Sequence, residues 1–171
     1  MATANGVVTI EQAYAHALAI AQEAANRYYE FSQKLIEYHS ESTSRMFAEL
    51  AKMTAEATQA IAGKAGGMTL PVLEAWRYSW IDAGPPDETA RDMVFHMLTP
   101  YGALKIALSG EYGARTFFER VAEVSQDENV RNFAREVVSQ IEYRIKWLEH
   151  ALRSAPRPFH YGEDFEAFLM R

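Results

Sequence analysis

The sequence predicts an all-α fold: a four-helix bundle of two antiparallel helix pairs, joined by a long crossover and supplemented by short crossover and C-terminal helices. Three observations predict it. Four segments place apolar residues at i, i+3, i+4, i+7 spacing, the mark of a helix with one buried face. Within each half of the chain, only a short polar stretch separates one such segment from the next, which makes the pair antiparallel. A long segment of different texture divides the halves, as a crossover between pairs requires.

The first helix is expected over about 9–38. Thr9 and Gln12 form a capping box, and Ile10, Tyr14, Ala17, Leu18, Ala21, Ala24, Ala25, Tyr28, Phe31 and Leu35 make its stripe. HSESTS (39–44) reads as a polar break. The second helix follows over about 42–64 with the stripe Met46, Phe47, Leu50, Ala51, Thr54, Ala57 and Ile61, and stops among Gly63, Gly66 and Gly67. Residues 66–98 hold Pro71, Pro85 and Pro86 together with Trp76, Tyr78 and Trp80. So many aromatic residues point to a tethered crossover, with a short helix over about 87–98.

Thr99 followed by Pro100 suits the start of the third helix, over about 99–124, with the stripe Leu104, Ala107, Leu108, Glu111, Phe118, Val121 and Ala122. The turn SQDEN (125–129) leads into the fourth, over about 127–153, with Val130, Phe133, Ala134, Val137, Ile141, Arg144, Ile145, Leu148 and Leu152 inward. The tail 155–171 ends the helix at APRPFHYG, and DFEAFLMR can add a last turn. The whole chain, 1–171, reads as one domain.

Composition narrows the functional classes. The net charge of −6 argues against nucleic acid or an anionic membrane as partner. The absence of cysteine excludes disulfides, thiolate metal sites and cysteine nucleophiles. No apolar run approaches the roughly 20 residues of a membrane span. MATANGVVTI lacks the basic-then-apolar order of a signal peptide, so a cytoplasmic location is expected.

The phrases TPYGALKIALSGEYGARTFFERVAE, DENVRNFAREV and WIDAGPPDETARDMVFHMLTP resemble the rubrerythrin-like branch of the ferritin-like superfamily, over roughly residues 9–153. The resemblance implies a scaffold that carries a diiron site. Such a site takes a Glu from the first and third helices and Glu-x-x-His from the second and fourth. The i, i+3 spacing sets both ligands of a helix on one face.

At about 100° per residue, helical phase tests each position. Glu111 lies at the centre of the third stripe. The equivalent positions elsewhere are Ala21, with Gln22 at the margin, on the first helix, Thr54 and Ala57 on the second, and Ile141 and Arg144 on the fourth. Glu23, Glu56 and Glu142 should face outward. No Glu-x-x-His spacing occurs in the chain. An inward guanidinium cannot ligate a cation and puts a positive charge where the metal would sit. The resemblance therefore implies a degenerate diiron site.

Glu111 needs a counter-charge. Arg144, or else Arg115 one turn along the same helix, can supply it as a buried ion pair. A metal-free bundle without catalytic residues or cofactor is expected, acting through its surface as a structural or accessory protein. A homodimer is expected too, with Trp76, Tyr78 and Trp80 as interface material. Two rivals stay open. One is a diiron or dimanganese oxidoreductase holding iron or manganese on Glu111, either with Gln22, Gln140 or Tyr143 or with the displaced carboxylates Glu23, Glu56 and Glu142. The other is a binder of a small apolar ligand in the vacated centre. Glu88, Asp92 and His96 share one face of the crossover helix and read as a solvated face rather than a metal site.

Overall fold

A computed structural model describes residues 7, 9–37, 40–73 and 99–156. Four helices account for most of them: α1 (Ile10–Glu37), α2 (Glu41–Lys64), α3 (Pro100–Val124) and α4 (Glu128–Ser154). They form two antiparallel pairs, α1 with α2 and α3 with α4, and α1 also touches both helices of the second pair. The chain is thus an all-α four-helix bundle.

Local chemistry sets the helix ends. The Thr9 N–H donates to Gln12 Oε1 at 3.0 Å, and the Gln12 N–H returns a bond to Thr9 Oγ1 at 3.3 Å. This reciprocal box satisfies two donors that a helix start leaves without partners. Thr99 Oγ1 accepts from Gly102 N at 3.0 Å, with Pro100 in the first helical position. Asp127 Oδ1 accepts from Asn129 N at 2.8 Å, so Asp127 caps α4 rather than joining it. Past the end of α2, Gly67 turns the chain with φ of +88°, a conformation that favours glycine.

The stretch 39–44 is not a break throughout. Residues 41–44 are helical and begin α2. Ser44 lies buried, and its hydroxyl donates to the Ser32 carbonyl at 2.7 Å, so it fastens α2 to α1. Glu41 pairs with Arg45 one turn on, at 3.2 Å. Serine and threonine serve turns and helix starts alike, so residue types alone overstate the gap.

The core joins all four helices. Tyr28, Phe31 and Leu35 of α1 meet Phe47 and Leu50 of α2; Leu104, Phe118 and Val121 come from α3, and Val130, Ile141 and Leu148 from α4. Phe31 sets its ring edge-on to Phe47 at 5.2 Å, and Tyr14 lies 4.2 Å from Phe133 between pairs. Alanines at 103, 107, 114 and 134 let the backbones approach. α1 is buried around more of its circumference than its apolar stripe, with Ala15, His16, Arg27 and Ser32 also covered. The cause is its place in the bundle, against three other helices.

No helix among the described residues is long and apolar enough to cross a membrane. The short helix expected over about 87–98, the crossover aromatics Trp76, Tyr78 and Trp80, the face Glu88–Asp92–His96 and the C-terminal turn all lie outside the described residues.

Candidate functional site: a buried Tyr–Glu–Arg centre

Glu111 sits midway along α3, on its buried face, and only 2% of it is exposed. Ala107, Gly110 and Ala114 surround it on its own helix, all buried and small. They leave room for long side chains from other helices to reach the carboxylate.

Two do so. Arg144 of α4 holds Glu111 with both prongs of its fork: Nε donates to Oε1 at 2.7 Å and Nη2 to Oε2 at 3.0 Å. Tyr28 of α1 donates its hydroxyl to the same Oε1. One carboxylate thus accepts three hydrogen bonds from two other helices. Arg144 is 7% exposed and Tyr28 2%, so solvent does little to screen the group.

The electrostatics are mutually consistent. Burial, followed by the field of Glu111, holds the Tyr28 hydroxyl well above its ordinary pKa, so Tyr28 stays a donor. Burial works against the charge on Arg144, but the Glu111 carboxylate and its hydrogen bonds outweigh it, and the Arg144 pKa lies above its ordinary value. A bidentate guanidinium–carboxylate pair is among the stronger hydrogen-bonded units in proteins. Its desolvation is costly and offsets much of the attraction between the two charges.

Of the two arginines weighed for Glu111, Arg144 makes the contact. Arg115 turns away, with Nε 3.6 Å from Glu119 Oε1 and its guanidinium 5.2 Å from the centre of the Tyr112 ring. Ala21 and Ile141 are buried and apolar. Thr54 is fully buried, and its hydroxyl donates to the Leu50 carbonyl at 2.7 Å within its own helix. Ala57 is half-buried.

The displaced carboxylates are not brought together. Glu56 and Glu142 are exposed. Glu23 lies 3.4 Å from Arg27, and its side chain is 45% exposed. Gln22 is exposed and donates to Asn26 at 3.0 Å. Gln140 and Tyr143 line a groove between α2 and α4, with Met53, Ala57, Ser139 and Arg144. Among the described residues, no three His, Asp or Glu side chains gather as a metal site would need. His16 is buried against the Phe117 ring at 5.1 Å; His150 is exposed.

Little free space is left around Glu111. Beside Arg27, Tyr28, Glu111 and Arg144 a gap of about 10 Å³ remains. One water needs roughly 10–15 Å³, so an organic ligand does not fit there. Sequence reasoning treated Tyr28 as core filling and passed over its hydroxyl. The available signal was its place on the inward stripe, since a buried tyrosine hydroxyl usually finds a partner.

No protein-family model and no curated protein matches the sequence. Among solved structures, the chain is similar to an uncharacterized conserved protein from Magnetospirillum magnetotacticum MS-1. The TM-score is 0.78 at 25% identity, and the match covers 89% of this chain and 99% of that one.

Proposed function

We propose that the chain is a ferritin-like bundle of the rubrerythrin-like branch in which an ion pair has replaced the diiron site, and that it acts through its surface as a structural or accessory protein. One observation carries this reading: Arg144 grips Glu111 at the bundle centre with both prongs. Glu111 is the acidic residue that the resemblance assigns to a bridging ligand. Arg144 brings its own positive charge to that carboxylate, and Tyr28 takes one of its remaining lone pairs. A cation arriving there would have to displace a guanidinium from a buried carboxylate. Alanine, threonine and isoleucine at 21, 54, 57 and 141 offer no replacement set of ligands.

The chemistry that remains is binding between surfaces. We propose a homodimer, open to one further protein partner, in the cytoplasm. The net charge of −6 disfavours nucleic acid and anionic membranes as partners. Light scattering on the purified chain should give twice its mass; a monomer at every concentration would remove the dimer from the proposal.

The loss of the site is tested by thermal unfolding with and without Fe(II) and Mn(II), under anaerobic conditions. A ligand that binds only the folded state raises the unfolding midpoint by mass action. The reading predicts no rise with either metal. A concentration-dependent rise that disappears in Glu111→Gln would overturn it.

A further inference from the structure

Away from the buried centre, α3 and α4 leave a groove of about 690 Å³ lined by Lys105, Leu108, Ser109, Tyr112, Glu149, Leu152 and Arg153. Leu108 and Leu152 give it an apolar floor. The Tyr112 hydroxyl donates to Glu149 at 2.6 Å, which occupies the groove's one carboxylate. Lys105 and Arg153 stand exposed, and two cations against the one carboxylate leave the groove net positive. On a chain of net charge −6, such a groove attracts an acidic segment that the rest of the surface repels.

We propose that this groove is the docking site of the same chain's C-terminal segment, residues 162–170, GEDFEAFLM. Three features of the sequence match three of the groove. Glu163, Asp164 and Glu166 complement Lys105 and Arg153. Phe165, Phe168 and Leu169 stand at i, i+3, i+4, the anchor pattern of an amphipathic helix laid in an apolar groove. The chain also leaves α4 at Ser154, directly after groove residues Leu152 and Arg153, so the segment begins within reach. Six residues can span up to about 20 Å extended, further than the one to two helical turns between Ser154 and Glu149. A tether this short favours the segment's own chain over a second copy, because its effective concentration reaches the order of millimolar. The segment then acts as a built-in competitor for this face. Any acidic, aromatic-anchored peptide of another protein must displace it.

The test is zero-length carbodiimide coupling on the full-length protein, mixed from isotopically light and heavy preparations and mapped by mass spectrometry. The expected result is an amide between Lys105 Nζ and Glu163, Asp164 or Glu166, joining peptides of the same isotopic label. In Phe165→Ser/Phe168→Ser its yield should fall by more than about tenfold, since two buried aromatic anchors are lost. That variant leaves every helix of the bundle untouched, and circular dichroism checks that the fold persists. Three outcomes overturn the proposal: no tail peptide coupled to Lys105, a yield indifferent to the two phenylalanines, or coupling chiefly between light and heavy copies. The last would assign the groove to a second copy's tail.

Discussion

At the scale of single residues, Glu111, Arg144 and Tyr28 stand or fall together. Glu111→Ala strands a buried guanidinium and should cost about 3–5 kcal/mol of stability, read by denaturant unfolding. Replacing the whole group with apolar residues (Tyr28→Phe, Glu111→Leu, Arg144→Met) leaves no orphaned charge and should be far milder than Glu111→Ala alone. A single variant no worse than the triple would refute the buried pair.

Tyr28 adds a pH dependence whose sign is fixed. Its pKa in the fold is raised, by burial first and the Glu111 charge second. Its contribution is therefore fully present below the unfolded tyrosine value of about 10 and is lost as pH climbs through the folded value. Stability of the native chain should fall above about pH 10, and Tyr28→Phe should fall less steeply. Parallel curves would show that the hydroxyl is not held as described. These three residues also mark what sequence can reveal. Phase alone aimed Glu111 and Arg144 inward, because the helical period is rigid at mid-helix. The same period is silent on what a side chain's tip will bond, so Tyr28 passed for filling.

At the scale of elements, capping chemistry was the most legible signal. Thr9 with Gln12 and Thr99 before Pro100 sit where side-chain oxygens meet free N–H groups, while Asp127, expected inside its helix, turns out to cap it. Thr99→Ala and Asp127→Ala should each lower stability by about 1 kcal/mol in thermal or denaturant unfolding. No loss in either variant would mean that its helix start is held by other contacts. The α1–α2 junction was less legible, because Ser40 to Ser44 combine turn-forming and helix-starting residues. Nor did the apolar stripe of α1 anticipate Arg27 and His16 among its buried residues. How many neighbours a helix has is a property of the assembly, and its own period cannot report it.

At the scale of the whole molecule, two antiparallel pairs fold around one polar contact that joins three of the four helices. Tyr28 comes from the first pair, Glu111 and Arg144 from the second, so the pairs register on each other through a shared carboxylate. Many alternative packings would bury the same apolar area, but few would satisfy this group. In a metal-binding bundle, inward ligands and the metal set that register. Here the proposal gives the task to an arginine. Metal content tests it most directly: elemental analysis of protein grown with ample iron and manganese and purified without chelator. The account predicts near-zero iron and manganese per chain, unchanged in Arg144→Ala. One or two equivalents per chain, lost in Glu111→Gln, would contradict it.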